Sequence, residues 1–197
     1  MSDRRTVVEV QAVVNEIVER LSDPERAHES IGVVTFNGPQ QKTIRESLQE
    51  LKNQAVDEAM EPKDGNEYLF IKNLETVQGS ERDVILFSTA FSLQDGKLPL
   101  NFGPLNGQGG SKRLNVAITR ARKEMKIFTS FEPSHIDSKK TGSKGLKELK
   151  EFLTLVWHGP EAIGLGNSSE STHDIYRQEV ASELIEAGLK VDQSVGM

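Results

Sequence analysis

The sequence predicts an α/β fold in which a parallel sheet is covered by helices on both faces. Short apolar runs rich in β-branched residues alternate along the chain with longer segments of helical periodicity. The apolar runs lack polar alternation, which is typical of strands that are buried on both faces. The chain has 197 residues, of which 36% are hydrophobic and 27% charged. This suffices for one domain with a real core plus a remainder.

The first half of the chain contains two predicted helices and two predicted strands. Residues 7–22 place apolar side chains at helical spacing between charged ones, which indicates an amphipathic helix. The run 31–36 is apolar and β-branched, and it predicts a buried strand. After a turn, a second helix is predicted over 40–59. Another turn at 63–66 leads into a strand at 68–71.

The second half repeats the alternation of strand and helix. A third strand is predicted over 83–88, followed by a long surface loop at 93–111 that is rich in Gly, Pro, Asn and Gln. A helix is then predicted over 113–121 and a fourth strand over 125–130. The segment 145–158 has a strongly apolar face and predicts the last helix of the domain.

The composition changes at Gly159, and this change suggests a domain boundary. Residues 159–172 are mostly small and polar, without periodicity, as in a linker. Residues 173–197 offer one helix and a short apolar run, which are too little to bury a core of their own. We therefore expect a domain at 1–158, a linker at 159–172, and the truncated start of a further domain at 173–197.

Charge and cysteine content narrow the possible functions. The chain has no cysteine, no signal-peptide-like start and no apolar run long enough to cross a bilayer. These features predict a cytoplasmic protein without membrane contact. The net charge of −6 argues against binding nucleic acid by bulk electrostatics. Residues 112–126 nevertheless hold six basic side chains against one acid, which indicates either a solvated face or a local binding surface.

The segment LNVAITRAR (114–122) carries the strongest functional signal. It places Arg120 at the end of an amphipathic turn, where neighbouring apolar residues hold it against the sheet. A guanidinium held in this way suits a phosphate across a cleft, because its forked donors match phosphate oxygens. In phosphoryl transfer such an arginine neutralises charge that develops on the γ-phosphate. The alternative is a helix with exposed arginines.

The segment ETVQGSERD (75–83) leads through a polar turn into a hydrophobic strand. Gly79 allows the backbone to come close to a ligand. Gln78, Glu81 and Asp83 bring amide and carboxylate groups to the start of the strand, where an acid can orient water or ribose or pair with an arginine. The alternative is a polar turn before a core strand.

The segment IGVVTFNGPQQ (31–41) is a strand, a turn and the start of a helix. This arrangement exposes the hydroxyl of Thr35 and the N–H groups at a helix amino terminus, which are donors that commonly hold phosphate. A plain strand–turn–helix without a ligand is the alternative.

In order and approximate spacing, the three segments resemble motifs IV, V and VI of superfamily 1 helicases. The resemblance is closest to the 5′-to-3′ branch that contains the RNA-surveillance and Okazaki-fragment-processing helicases, and it covers about residues 5–157. It implies a RecA-like, P-loop-NTPase-type α/β domain that is the second motor lobe, without its own Walker A loop. The resemblance also implies partners: single-stranded nucleic acid, with DNA favoured over RNA, and the amino-terminal RecA-like lobe of the same protein.

The resemblance implies roles for individual side chains. Arg120 matches the arginine finger and Glu81 the acid that senses the nucleotide, and together they form the catalytic set. The implied nucleotide-binding residues are Gln78, Gly79, Arg122 and Gln40. The implied nucleic-acid-binding residues are Thr35, Asn73 and Arg113. No residue is expected to bind a metal.

Two departures from the family pattern limit what the chain does alone. Val7 stands where many relatives carry an arginine, two residues before the glutamate that aligns with Glu9; Arg4 and Arg5 lie nearby. No G-x-x-x-x-G-K-[ST] occurs in the sequence, so the chain has no cradle for a triphosphate. ATP and Mg²⁺ are therefore expected in the full-length protein, with neither bound tightly to this chain alone.

Other interpretations stay open on the sequence. Residues 173–196 resemble the opening of restriction-endonuclease-like domains fused behind such helicases in bacteria, with Glu179 at the position of the first-helix acid. A plain carboxyl-terminal helix explains that segment equally well, and a nuclease-associated fragment is a further reading. A different class of function is a non-catalytic nucleic-acid-binding or assembly module that uses the basic segment 112–126.

Overall fold

The computed structural model describes residues 4–63 and 66–159. The helices are α1 Arg4–Ser22, α2 Gly38–Glu50, α3 Gln54–Met60, α4 Gly110–Ile118 and α5 Lys144–His158. The strands are β1 Ile31–Thr35, β2 Pro62–Lys63, β3 Asn66–Glu67, β4 Leu69–Asn73, β5 Arg82–Ser92 and β6 Ala121–Ser130. Single 3-10 turns lie at Gly103–Leu105 and Pro133–His135.

Four strands form one sheet in the order β4-β1-β5-β6, and every neighbouring pair is parallel. Ile31 aligns with the start of β4 on one side and with Val84 of β5 on the other. All four strands therefore begin at one end of the sheet, here called the amino rim, and finish at the opposite end, the carboxyl rim. This architecture is RecA-like and confirms the predicted α/β fold with a parallel sheet.

Helices cover both faces of the sheet because both faces are apolar. On one face α1, α2 and α3 bury Val13, Ile17 and Ile44 against β1 and β5. On the other face α4 and α5 contribute to a core that also includes Phe36 and Phe87, whose rings meet edge to face with centroids 5.2 Å apart. Complete burial of such a side chain stabilises the fold by about 2–3 kcal/mol.

The predicted helix 40–59 was wrong as a single element, because the chain breaks into α2 and α3. Lys52 adopts a left-handed backbone conformation with φ 49°, which a continuing helix does not allow. Asn53 then caps α3, with Oδ1 accepting the N–H groups of Ala55 and Val56. An asparagine cap inside an otherwise helical pattern is the signal that marks this break.

The predicted helix 113–121 lies three residues too late and runs too far. Helix α4 ends at Ile118, and β6 begins at Ala121 rather than at residue 125. Pairing with β5 extends the strand, since the backbone N–H of Arg82 donates to the carbonyl of Arg120 at 3.1 Å. Strand β5 is also longer than the predicted 83–88, because this neighbour on β6 satisfies its backbone groups.

The connection from β4 to β5 crosses the sheet without a helix. Since β1 lies between these two strands, residues 74–81 must pass over β1 from the carboxyl rim to the amino rim. Leu74 and Val77 anchor this crossover in the core on the α4 and α5 face. Gly32 of β1 also packs tightly on this face, since a Cβ atom there would lie 2.5 Å from the ring of Phe70.

Two sets of predictions are not tested by the fold. The linker 159–172, apart from Gly159, and the segment 173–197 lie outside the described residues, and so does Glu179. Within the described part of the chain, no helix is long and apolar enough to span a membrane.

Candidate functional site

Arg120 and Glu81 meet at the amino rim, although they are 39 residues apart in sequence. Glu81 immediately precedes β5, and Arg120 immediately precedes β6, which is the next strand in the sheet. Parallel pairing of these two strands therefore brings the residues together. Arg120 Nη1 donates to Glu81 Oε1 at 3.2 Å.

The guanidinium of Arg120 is held by its own segment as well. Its Nε donates to the carbonyl of Val116 at 2.8 Å, and its Nη2 donates to Thr119 Oγ1 at 3.1 Å. The side chain is 18% exposed. The last turn of α4 therefore fixes two sides of the guanidinium, and only the Glu81 contact comes from another element.

Arg122 lies on the other side of the same carboxylate. Its Nε is 3.7 Å from Glu81 Oε2, and its side chain is 59% exposed. Glu81 thus stands between two arginines, one fixed and one exposed. A cavity of about 610 Å³ opens beside Glu81 and Arg122, lined among others by Tyr68, Arg82 and Ser30. The two cations suit this end of the domain for an anionic ligand such as a phosphate.

A buried ionic network supports the start of β6. Arg20 of α1 bonds to Glu16 and to Glu124 of β6, each at 2.7 Å, and lies 3.4 Å from Glu29. Lys126 of β6 donates to Glu16 at 2.6 Å. The sequence suggested only the solvated face of an amphipathic helix here. Glu16 and Arg20 lie four residues apart on the apolar side of α1, and this spacing was the sequence signal for a buried ion pair.

Hydrogen bonds keep Glu16 and Asp83 ionised. Burial opposes ionisation of Glu16, but the bonds from Lys126 and Arg20 outweigh it and lower its pKa. Burial also opposes ionisation of Asp83, whose pKa is nevertheless lowered by the backbone and side-chain donors of Ser30. Glu16 and Asp83 are therefore fixed charges rather than proton donors.

Gln78 and Gly79 are exposed in the crossover segment between the two rims. Gly79 has φ 77°, and nothing lies within 4 Å of the position of an added Cβ. The glycine is therefore required by its left-handed backbone and not by a close contact. Gln78 and Gly79 are near Glu81 because they precede it by three and two residues in the sequence.

Thr35 and Asn73 end adjacent strands, and the sheet register places them side by side at the carboxyl rim. The Thr35 hydroxyl is buried and donates to the carbonyl of Asn37 at 2.9 Å. Asn73 is partly exposed; its Oδ1 accepts the N–H of Glu75 at 3.0 Å, and its Nδ2 donates to Gln41 Oε1 at 3.2 Å. The structure thus pairs these two residues, but it does not expose the hydroxyl of Thr35.

Gln40 also lies at the carboxyl rim, away from the Arg120–Glu81 pair with which the sequence grouped it. Its side chain is buried and donates to Ser88 Oγ at 3.2 Å. Ser88 in turn donates to Glu9 Oε1 at 2.6 Å. Sequence analysis used Glu9 only as an alignment point and assigned it no role. Its position on the apolar side of α1, one turn before Val13, was the signal that it is buried.

The side chain of Arg113 has a structural role, because its Nη1 donates to the carbonyls of Pro104 and Gln108 at 3.3 and 2.9 Å. These bonds hold the loop between β5 and α4. The basic segment 112–126 is not one surface: Lys112 and Arg113 lie on α4, Arg120 and Arg122 lie at the amino rim, and Lys126 lies further along β6, opposite Leu86 of β5. Lys126 is largely buried and bonded to Glu16.

No metal site accompanies these groups in the described residues. Within residues 4–63 and 66–159, no three His, Asp or Glu side chains are grouped so that they could hold a metal ion. The side chains of Arg4 and Arg5 lie outside the described residues. Val7 itself is half exposed at the start of α1.

Comparisons with known proteins agree with the geometry. The chain matches the family model described as an AAA domain over residues 3–132. It is similar to an uncharacterized ATP-dependent helicase of Mycoplasma pneumoniae, at 34% identity over 154 residues, and to one of Mycoplasma genitalium, at 35% identity over 154 residues. Each alignment covers 77% of this chain but only 13% of the relative. The chain thus spans a small part of the curated relatives that it matches.

Proposed function

The chain belongs to this AAA domain family, and we propose that it is the second motor lobe of an ATP-dependent nucleic-acid helicase. The observation that carries the proposal is the Arg120–Glu81 pair at the amino rim, built from the starts of two adjacent strands. The likeness to two ATP-dependent helicases supports it. In this proposal the amino rim faces the nucleotide and the carboxyl rim faces the nucleic acid.

Arg120 acts as the arginine finger in this proposal. The bonds to Val116 and Thr119 hold the plane of its guanidinium, so little side-chain entropy is lost when it binds a phosphate oxygen. Only the Glu81 contact must be exchanged, because it comes from a different segment. The first motor lobe binds ATP with Mg²⁺ and supplies the γ-phosphate. Arg120 then neutralises the charge that develops on it.

Glu81 and the crossover connect the two rims. When Arg120 turns toward a phosphate, Glu81 keeps Arg122 as its remaining partner at 3.7 Å. Glu81 belongs to the same short segment as Gln78 and Gly79, which runs back to Asn73 at the other rim. Val77 fixes the middle of that segment in the core. The proposal is that a change of partner at Glu81 reaches Asn73 through this segment.

The carboxyl rim is the proposed contact for single-stranded nucleic acid, with DNA favoured over RNA. Asn73 presents a partly exposed amide there, and Gln41 is bonded to it. Thr35 orders the turn behind them through its bond to Asn37. Such polar groups bind the sugar–phosphate backbone without reading base sequence. The amino-terminal RecA-like lobe of the same protein supplies the other half of the proposed channel.

Replacing Arg120 in the complete helicase tests the proposal. Arg120→Ala should lower the rate of ATP hydrolysis by about 10³-fold or more, because the developing phosphate charge loses its counter-ion. Nucleotide affinity, measured by fluorescence titration with a labelled ATP analogue, should change by less than about threefold, since the finger acts mainly in the transition state.

Arg26→Ala is the matched control for this experiment. Arg26 is a partly exposed arginine that pairs with Asp23 at 2.7 Å, and its loss should change neither rate nor affinity. An equal loss of hydrolysis and of binding in Arg120→Ala would contradict the finger role. So would normal hydrolysis by that variant.

A further inference from the structure

Glu9 is a fully buried carboxyl group at the carboxyl rim, and among the described side chains its hydrogen bonds come from neutral groups. Its Oε1 accepts the hydroxyl of Ser88 at 2.6 Å and the N–H of Ala90 at 2.9 Å. Its Oε2 accepts the hydroxyl of Ser130 at 3.3 Å, and the backbone of Thr89 also bonds to it. One side chain of α1 thus joins the ends of two adjacent strands.

The segment that Glu9 holds is strained. Ala90 has φ 62°, a left-handed conformation that is rare for a residue with a side chain. The pairing of β5 with β6 is also irregular between Ser88 and Ser92. Such a conformation persists only when its surroundings impose it. The bond from the Ala90 N–H to the Glu9 carboxylate is a contact that imposes it.

Neutral groups also surround Glu9 from the other elements packed there. The contacts from β5 and β6 are those of Ser88, Thr89, Ala90 and Ser130, and α2 contributes Gln40, which donates to Ser88 Oγ. Further along α1 and β6, Glu16 and Lys126 pair with each other at 2.6 Å. The charge of Glu9 is therefore governed by burial and by these neutral donors. Burial raises the pKa of Glu9 to about 7, and the hydrogen bonds oppose that rise.

We propose that Glu9 is a positioning residue whose ionised carboxylate fixes the end of β5 at the carboxyl rim and whose protonation releases it. The ionised group accepts all of these donors at once. When a proton binds, the carboxyl group loses its charge, and the hydrogen bonds that it accepts from Ser88 and Ala90 lose their charge assistance and become weaker. The constraint on the strained Ala90 is then weakened.

The proposal has a consequence for nucleic-acid binding that rests on the proposed function. Ser88 lies beside Thr35 in the sheet register, and Thr35 lies beside Asn73. Release of the β5 end therefore disturbs the row of strand ends that is proposed to contact the single strand. We expect strand affinity to fall when Glu9 is protonated and to be insensitive to pH when position 9 cannot titrate.

An NMR titration of the 197-residue chain tests the positioning role directly. The amide signals of Thr89, Ala90 and Ser130 should shift together between pH 5 and 9, with one midpoint near neutrality, and hydrogen exchange at Ala90 should be faster on the acid side after correction for its intrinsic pH dependence. Glu9→Gln should remove the shared titration. Glu19→Gln, at an exposed position of the same helix, should leave it unchanged.

A second variant keeps the test decisive if Glu9→Gln does not fold. Ser88→Ala removes a hydrogen bond that favours the ionised form, so the shared midpoint should rise by about half a pH unit or more. The positioning role is overturned if Ala90 does not titrate in the unmodified chain. It is equally overturned if Ala90 titrates unchanged in a folded Glu9→Gln variant.

The complete helicase and a fluorescein-labelled oligothymidylate test the consequence for binding. Affinity in the unmodified protein should fall at least about threefold from pH 8 to pH 6 relative to Glu9→Gln, which cancels the pH response of other groups. Absence of binding at every pH would contradict the proposed function, while the NMR titration would still decide the role of Glu9. Binding with the same pH response in both proteins would overturn the consequence alone.

Discussion

The ionisable side chains of Glu9 and Arg120 have very different surroundings in this fold. Arg120 has a carboxylate partner and is partly exposed, so a ligand can reach it. Glu9 is completely buried and has neutral donors around it. Its ionisation therefore costs free energy that the fold must supply. Because the buried Glu9 carboxyl group ionises unfavourably, the stability of the domain depends on pH.

The raised pKa of Glu9 has a definite consequence for stability. Its pKa rises from 4.5 to about 7 on folding, so the folded state binds the proton more tightly than the unfolded state does. The resulting stabilisation is fully present below pH 4.5 and is lost as the pH rises through 7. The free energy of unfolding should therefore fall by roughly 3 kcal/mol between pH 4.5 and 8.

Urea denaturation of the chain across this pH range measures the effect. Glu9→Gln should flatten the profile, because the titrating group is gone. Glu19→Gln should keep the slope of the unmodified chain, since that side chain is exposed. A slope that survives in Glu9→Gln would assign the pH dependence to another group.

Among the elements, helix α1 connects the two rims. Glu9 attaches one end of it to the carboxyl rim, and Glu16 and Arg20 attach the other part to β6 near the amino rim. These three residues share the buried side of the helix with Val13 and Ile17. The helix is therefore held by polar bonds at both ends and by apolar packing between them.

Loss of Arg20 should destabilise this element strongly. Arg20→Leu leaves the carboxylates of Glu16, Glu29 and Glu124 together without their shared cation, which should cost about 3–5 kcal/mol in the free energy of unfolding. Arg26→Ala removes a partly exposed pair and should lower the free energy of unfolding far less. Chemical denaturation of both variants at pH 7 compares them, and equal small losses would show that the buried network is not cooperative.

For the molecule as a whole, the two rims have different chemistry. The amino rim carries fixed ion pairs and exposed arginine, and the carboxyl rim carries amides, hydroxyls and one buried acid. A short crossover and one long helix join them. This separation suits a domain that contacts a nucleotide at one end and a polymer at the other.

The 197-residue chain alone should hydrolyse no ATP above background. It contains Arg120, the proposed arginine finger, but its sequence contains no phosphate-binding G-x-x-x-x-G-K-[ST] loop. A coupled phosphate-release assay with and without oligothymidylate measures this directly. Steady hydrolysis that persists after repeated purification, and that Arg120→Ala removes, would show that the chain holds a complete site.

The sequence by itself determined the α/β class and the four main strands, and it grouped Arg120 and Glu81 in one expected site. The spacing of apolar residues indicates which segments are buried. The motifs at 75–83 and 114–122 indicate which polar residues are expected in one site. Boundaries were less predictable: Asn53 divides a helical pattern, and pairing with β5 extends β6 to Ala121. Both depend on local hydrogen bonds that hydrophobic spacing does not report.

Only the tertiary structure decided which rim each polar residue occupies. Gln40 and Thr35 lie at the opposite end of the sheet from Arg120, because parallel strands place their starts and their ends on different sides. The sequence likewise did not indicate the proposed role of Glu9. Helical periodicity shows that a residue faces the core, but not which groups it contacts there. Its partners Ser88, Ala90 and Ser130 are about 80 to 120 residues away in sequence. The order of the strands in the sheet is what brings them to one carboxylate.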